Sequence, residues 1–159
     1  MHIVAIIPAR AGSKEIKNKN LKKFGGKSLV RRSLEAAIKS KKFNHTILTS
    51  DSKKILDEAN YHTDNKILKI LRPKMLARDN SSIYGVMIHA LEEYEKKFNK
   101  IVDIAVLLQP VTPFRTYKHI SKIVNFHRRT KADAVITITK FDYPVFWGLK
   151  QNTKKKITN

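Results

Sequence analysis

Short apolar segments separated by helical patterns constrain the fold of this chain more than any other feature of its sequence. Apolar runs at residues 2–7, 46–49, 66–71, 103–108 and 134–139 predict strands, most of them too uniformly apolar to face solvent on one side. Helices are predicted at residues 28–39, 51 to about 60, 83–98 and about 117–129. Strands that alternate with helices pair in parallel and are covered on both faces. The sequence therefore predicts an α/β chain, a Rossmann-like three-layer α/β/α sandwich with a mainly parallel sheet.

Polar residues are predicted to begin two of these helices. Asp51 is expected to cap the second helix, because its carboxylate can accept the unpaired N–H groups of the first turn. Residues 79–82 offer caps to the third helix. Apolar side chains recur every three or four residues along that helix and are expected to pack in the core: Ile83, Met87, Leu91, Tyr94 and Phe98.

Composition limits the remaining choices. The 159 residues contain no cysteine, which excludes thiolate chemistry and zinc–cysteine sites and favours a reducing compartment, so cytoplasm is expected. No apolar run approaches the roughly 20 residues of a membrane span, so no membrane partner is expected. We expect one domain over residues 1–150, followed by a basic, frayed tail at 151–159.

The chain carries 33 Lys and Arg against 13 Asp and Glu, a formal net charge of +20. This excess attracts polyanions such as phosphates or nucleic acid, although lysines spread over solvated faces give the same total. A nucleic-acid-binding module would interleave aromatic and basic residues on one exposed face. Here the aromatics fall mostly at core spacings, so a nucleic-acid partner is not favoured.

Polar residues follow three of the predicted strands, at 8–20, 50–51 and 109–116. Ligands of open parallel sheets bind beyond the carboxyl ends of the strands, so these loops are the candidate site. Two phosphate-loop motifs fail there: Leu21 stands where a P-loop ending in Gly26-Lys27-Ser28 needs its first glycine. The dinucleotide fingerprint fails because Gly12 is the sole glycine between the first strand and Phe24.

The loop after the first strand nevertheless has the chemistry of a phosphate-binding loop. Gly12 permits an unusual backbone turn, Ser13 offers a hydroxyl, and Arg10, Lys14 and Lys19 can converge on a triphosphate.

Three stretches carry a resemblance to a known family: IIPARAGSKEIKNKNLKKFGGKSLV, LRPKMLARDNSSIYGVMIHAL and LLQPVTPFRT. They resemble, in order and spacing, the acylneuraminate cytidylyltransferases (CMP-sialic acid synthetases), including the enzymes that activate pseudaminic and legionaminic acids. The resemblance spans residues 3 to about 136. It implies a nucleotidyltransferase domain of the nucleotide-diphospho-sugar transferase type. It also implies magnesium-dependent transfer of CMP from CTP to the anomeric hydroxyl of a nonulosonic acid, with release of pyrophosphate.

The resemblance also implies roles for individual residues. Arg10, Lys14 and Lys19 would be the catalytic cations. The implied nucleotide-binding set is Ala9, Arg10, Gly12, Ser13, Lys14, Lys19, Asn20, Arg72 and Asp79, with Arg72 and Asp79 near the cytidine. Gln109, Thr112 and Arg115 match the loop that meets the sugar acid. For Asp79 a helix-capping role is equally open.

The sequence departs from the family in one respect. Family members continue into a segment that crosses a homodimer interface and a strand that carries metal-binding carboxylates, whereas this chain has no Asp-x-Asp pair. We therefore expect a form that lacks the family's C-terminal part, has unidentified metal ligands and shows impaired turnover; a minimal active form stays open. The alternatives are a 3-deoxy-manno-octulosonate-type or other sugar nucleotidyltransferase, a non-catalytic nucleotide-binding remnant, and the nucleic-acid module.

Overall fold

The computed structural model describes residues 1–13, 15–63 and 65–140, together with the backbone of 150–151 and 157–158. The strands are β1 Ile3–Pro8, β2 Lys23–Phe24, β3 Lys27–Ser28, β4 His45–Ser50, β5 Ile67–Leu71, β6 Ile104–Leu107, β7 Lys150–Gln151 and β8 Ile157–Thr158. The α-helices are α1 Leu29–Ser40, α2 Lys53–Leu56, α3 Ile83–Phe98 and α4 Tyr117–Thr130. Short 3-10 turns cover Lys19–Leu21, Asp57–Tyr61 and Lys74–Ala77.

Four strands form a parallel sheet in the order β5-β4-β1-β6. β1 lies in the interior, where Ile6 is paired in register with Ile47 of β4 and with Leu107 of β6. Alternate residues of β1 face opposite sides, so Ala5 and Ile7 join one buried cluster while Val4 and Ile6 join another. A strand that is buried on both faces must be uniformly apolar, which explains its sequence.

Helices cover both faces of this sheet. Side chains of α1 and α4, including Leu34 and Ile120, pack in the first cluster, whereas Ala90 and Tyr94 of α3 pack in the second. The predicted three-layer sandwich is therefore confirmed. The division of the chain at residue 150 stays a prediction.

Glycines close a small hairpin beside the sheet. Gly25 (φ 58°) and Gly26 (φ 78°) connect the antiparallel strands β2 and β3. Two consecutive positive φ angles are what a tight two-residue hairpin turn requires, and glycine adopts them at little cost. The side chain of Ser28 at the end of this hairpin accepts the N–H of Arg31 and caps α1.

The strand predicted at residues 134–139 is wrong. Val135 and Ile136 line a pocket together with Val106 and Leu107, but among the described residues the segment forms no ladder with β6. Ile136 is 81% exposed, and Ile138 is also largely exposed. Apolar alternation signals side chains that favour burial, but a strand also needs a neighbouring backbone with which to pair.

Two helix predictions also need correction. The second helix is interrupted, because α2 ends at Leu56 and a 3-10 turn continues to Tyr61. Asp51 does not cap it, because its carboxylate is engaged elsewhere and Ser52 stands at the N-cap position. In α3 the residue Ile83 is 42% exposed, so it is not part of the core as expected.

None of the helices in the described part of the chain combines the length and the hydropathy that a membrane crossing demands.

Candidate nucleotide site

A cleft of about 240 Å³ opens at the carboxyl ends of β1 and β5, beside the loop that follows β6. Its polar lining brings together residues that are far apart in sequence: Arg10, Ser13, Lys19, Asn20, Arg72, Asp79 and Gln109. Apolar walls are supplied by Pro8, Leu76, Ile83, Val86, Pro110 and Val111. The cleft thus combines four cationic side chains, including Arg78, with apolar surface that suits a planar ring.

The loop after β1 is held by hydrogen bonds to its neighbours. Ala9 donates its N–H to the carbonyl of Thr49 at 3.0 Å, and Ala11 donates its N–H to Oδ1 of Asp51 at 3.0 Å. Buried Asn20 donates from Nδ2 to the carbonyl of Arg10 at 2.9 Å. These contacts fix the backbone around Arg10 before any ligand arrives, which lowers the entropic cost of binding.

Gly12, which we expected to permit an unusual backbone turn, does not have a positive φ. Among the described glycines, those with positive φ are Gly25 and Gly26. Gly12 instead lies in a tight turn in which Ser13 donates its N–H to the carbonyl of Ala11 at 3.0 Å. A Cβ built on Gly12 would meet nothing within 4 Å, so the position leaves space for an approaching ligand.

Arg10 and Asp79 form an ion pair across the cleft. Nη1 of Arg10 donates to Oδ1 of Asp79 at 2.5 Å, and both side chains are partly exposed. Asp79 is not the cap of α3, because Ser82 accepts the N–H of Tyr84 at the start of that helix. A helix-capping role for Asp79 is therefore excluded. Its position in the cleft supports the alternative, a role in nucleotide binding.

Arg72 forms the buried floor of the cleft. Its side chain is only 5% exposed, and its Nε has no acceptor among the described residues. Burial lowers the pKa of Arg72, while the charge of Asp51 raises it and the charge of Arg10 lowers it further. A buried guanidinium with an unpaired donor is an unfavourable arrangement that an anionic ligand would relieve.

The three residues expected to meet the sugar acid do not all face this cleft. Gln109 lines it, but Thr112 and Arg115 lie on the other side of the loop, toward α4. Nη2 of Arg115 donates to the carbonyl of Gln109 at 2.9 Å and to Oγ of Ser33 at 3.3 Å. Arg115 therefore holds the backbone of Gln109 in place. Lys14 lies outside the described residues.

Sequence reasoning missed two polar residues of the cleft, Arg78 and Ser81. Ser81 accepts the N–H of Arg78 at 3.0 Å and donates to the carbonyl of Met75 at 2.9 Å, which ties the loop together. Both lie in the stretch LARDNSS, next to Asp79. The sequence signal that could have identified them is a basic side chain and a hydroxyl close to Asp79, which the family resemblance had already assigned to the nucleotide site.

The described residues do not form a metal site. No group of three or more His, Cys, Asp or Glu in residues 1–13, 15–63 and 65–140 is close enough to hold an ion. The two carboxylates nearest the cleft, Asp51 and Asp79, already accept hydrogen bonds from Ala11 and Arg10. Magnesium therefore has no identified ligand within the described part of the chain.

A cationic cleft at the strand ends of a parallel α/β/α sheet defines a nucleotide- or phosphate-binding protein of the Rossmann-like class. The sequence profile of the cytidylyltransferase family matches residues 4–145. The chain belongs to this family.

Named relatives agree with this assignment. The N-acylneuraminate cytidylyltransferase of Escherichia coli O18:K1:H7 is 36% identical over 144 residues, which are 89% of this chain and 32% of that protein. The CMP-N,N'-diacetyllegionaminic acid synthase of Legionella pneumophila is 32% identical over 147 residues, 92% of this chain and 62% of that protein. This chain thus spans from about a third to about three-fifths of the length of these relatives.

The fold has solved counterparts. A CMP:2-keto-3-deoxy-manno-octonic acid synthetase complexed with CTP superposes with a TM-score of 0.61 at 20% identity. The match covers 83% of this chain and 49% of that one. At this identity the likeness shows the fold alone.

Proposed function

We propose that this chain binds CTP in the cleft and transfers CMP to the anomeric hydroxyl of a nonulosonic acid, with release of pyrophosphate. The observation that carries the proposal is the convergence of Arg10, Lys19 and Arg72 on one hollow at the strand ends. The relatives named for acylneuraminate and legionaminic acid support the choice of sugar.

The proposed reaction is a displacement at the α-phosphorus. The anomeric oxygen of the sugar acid forms a bond to that phosphorus and loses its proton, while the bond to the bridging oxygen of the β-phosphate breaks. Negative charge accumulates on the phosphate oxygens and on the departing pyrophosphate. Fixed cations stabilise this charge most effectively when they need no reorganisation during the reaction.

Individual roles combine the motif that the chain shares with the family and, for the described residues, their place at the cleft. We assign Arg10, Lys14 and Lys19 to the triphosphate as the catalytic cations, with Ser13 as a hydrogen-bond donor. Ala9 and Gly12 supply the backbone of the same loop.

The remaining residues divide between the nucleotide and the sugar acid. Asn20, Arg72 and Asp79 complete the nucleotide site. We assign Gln109 to the sugar acid, and the hydrogen bond from Arg115 to its carbonyl supports a positioning role for Arg115. Thr112 stays a prediction on the sugar side.

Binding and turnover are tested separately. CTP should raise the melting temperature more than ATP, GTP or UTP do, and pyrophosphate should appear only when a nonulosonic acid is added. Equal shifts with all four nucleotides would contradict the proposal. CTP binding without pyrophosphate release would indicate a non-catalytic remnant. Assays with and without magnesium test the predicted cation requirement.

A second candidate is a 3-deoxy-manno-octulosonate cytidylyltransferase, because a synthetase for that sugar shares the fold. It is less supported, since the relatives at 36% and 32% identity carry names of sialic-type sugars. A panel of acceptors that includes N-acetylneuraminic acid and 3-deoxy-manno-octulosonate separates the two. We also expect a homodimer, which light scattering checks, and a cytoplasmic location, which cell fractionation checks.

A further inference from the structure

A second basic pocket lies on the other side of the strand-end loop. Its volume is about 370 Å³, and it is bounded by the β2–β3 hairpin, α1 and the start of α4. Four cationic side chains and one carboxylate line it: Lys27, Arg32, Lys39, Arg115 and Glu35. We call it the α1–α4 pocket. It shares no lining residue with the nucleotide cleft.

Arg32 is fixed at the wall of this pocket. Its Nε donates to the carbonyl of Pro113 at 3.3 Å, and its Nη1 donates to the carbonyl of Phe24 at 3.2 Å. The guanidinium also lies 5.4 Å from the centroid of the Phe24 ring. Two of its five N–H groups are thereby engaged, and the rigid fork presents the others without further ordering. This arrangement differs from that of an extended surface lysine.

Arg115 adds a donor that lacks a partner. Its Nε is shielded from solvent and has no acceptor in the described part of the chain. Burial lowers the pKa of this guanidinium. The charge of Arg115 lines the pocket and is held there by the hydrogen bonds of its Nη2 to Gln109 and Ser33.

The start of α4 increases the positive potential. Thr116 and Tyr117, which begin this 14-residue helix, line the pocket, and the first turn contains no acidic residue. A capping box between Thr116 and His119 engages two N–H groups of this turn, and the remaining N–H groups and the helix dipole favour an anion. The carboxylate of Glu35 forms an ion pair with Lys27 at 2.8 Å, so these two charges balance each other. The positive charges of Arg32, Arg115 and Lys39 remain in the pocket.

We propose that the α1–α4 pocket is a second anion site that binds a phosphate group, separate from the nucleotide cleft. Two guanidinium groups and a helix N-terminus match a tetrahedral, doubly charged oxyanion better than a single carboxylate. The two sites are neighbours, because Arg115 of the α1–α4 pocket donates to the carbonyl of Gln109, which lines the nucleotide cleft. The inference does not depend on the identity of the sugar acid.

Site-resolved titration tests the proposal with the full chain. Inorganic phosphate and pyrophosphate are added in separate titrations followed by 1H–15N NMR at constant ionic strength. The amides of Thr116, Tyr117 and Lys118 report the α1–α4 pocket, and the amide of Ser13 reports the nucleotide cleft. We expect saturable shifts at both sets, with independent dissociation constants.

Variants assign the shifts to their site. Arg32→Gln should weaken phosphate binding at the α4 amides by about tenfold, the loss expected for one charge-assisted hydrogen bond. Lys39→Gln should weaken it less, because this ammonium is exposed and screened. Lys54→Gln removes the same charge from the exposed surface of α2 and should leave both constants unchanged. Arg10→Gln should affect Ser13 and spare the α4 amides.

Three results would overturn the proposal: no saturation at the α4 amides, equal affinities in wild type, Arg32→Gln and Lys39→Gln, or loss of the α4 shifts in Arg10→Gln. The last result would mean that those shifts are transmitted from the cleft. Tighter binding of pyrophosphate than of phosphate would identify the diphosphate product as the source of the anion. Equal binding would identify a single phosphate group, free or carried by a metabolite.

Discussion

Replacement of Arg72 by glutamine should separate nucleotide binding from stability. Arg72 is 5% exposed as a residue, and its Nε has no acceptor among the described residues. The variant loses the attraction of Asp51, but it also removes the desolvation cost and the repulsion from Arg10 that lower the pKa of Arg72. Because these effects oppose each other, we expect the free energy of unfolding of the unliganded protein to change by less than about 1 kcal/mol.

Ligand binding should change much more. A charge-assisted hydrogen bond contributes about 1.5–3 kcal/mol, so its loss raises the dissociation constant for CTP by about 10- to 150-fold. At a concentration of about 100 times the dissociation constant, CTP stabilises the wild type by about 2.7 kcal/mol, which raises Tm by roughly 5–11 °C for a chain of this size. With 30-fold weaker binding the same CTP gives about 0.9 kcal/mol and a shift of roughly 2–3 °C.

The assay is thermal unfolding with and without CTP, run beside a matched control. Arg128→Gln makes the same chemical change at an exposed position near the end of α4 and should keep the full wild-type shift. If Arg72→Gln also kept the full shift, the reasoning would be refuted, because a buried cation in the cleft would then make no contact with the nucleotide. A large loss of unliganded stability would show that Arg72 is held by favourable contacts of its own.

Two further substitutions test the structure away from the cleft. Gly26→Ala should cost about 1–2 kcal/mol in urea unfolding, because the φ of 78° strains any Cβ even though the space is open, whereas Gly12→Ala should be nearly neutral. Tyr94→Phe should cost about 1–3 kcal/mol, since the hydroxyl contacts His2 at 2.7 Å and His45 at 2.6 Å. Burial raises the pKa of Tyr94 above 10, so the wild type should lose stability as pH rises through that pKa. The phenylalanine variant should lack this alkaline loss.

The sheet was predictable from sequence because each strand of it is a short apolar run that ends at polar or breaking residues. The observed bounds of β1, β4, β5 and β6 lie within one or two residues of the predicted ones. α1 and α4 were found for a similar reason, since their apolar residues recur with helical spacing. These signals are local, and the structure follows them where pairing and packing partners are present.

The errors arose where a residue had several possible partners. Asp51 is well placed in sequence to cap α2, yet its carboxylate accepts the N–H of Ala11 from a loop 40 residues away. Such a contact forms only after β1 and β4 pair, so local sequence does not reveal it. The hairpin at Gly25-Gly26 is the opposite case, because two glycines between short segments are a local turn signal that was not used.

The same limit applies to the cleft. Sequence identified Arg10, Ser13 and Asn20 through a motif, and the structure places all three around one hollow. It also grouped Arg115 with Gln109, because both residues match the family loop that meets the sugar acid. The guanidinium of Arg115 instead turns toward Ser33 of α1. Proximity in a loop does not fix direction, since adjacent side chains can face opposite sides of the same backbone.

Arg10, in the loop after β1, interacts electrostatically with Arg72, whereas most of the charges that make up the net +20 are spread over the surface. Cations on a solvated face repel one another weakly, because water and salt screen them within about 10 Å. Arg10 and Arg72 share a partly enclosed cleft in which their charges do interact, as the effect of Arg10 on the pKa of Arg72 indicates. Asp51 and Asp79 offset this repulsion, and the hydrogen bond from Asn20 to the carbonyl of Arg10 helps to hold the loop in place. A triphosphate in the cleft would neutralise the same cations more completely, so the repulsion between Arg10 and Arg72 favours binding of an anionic ligand.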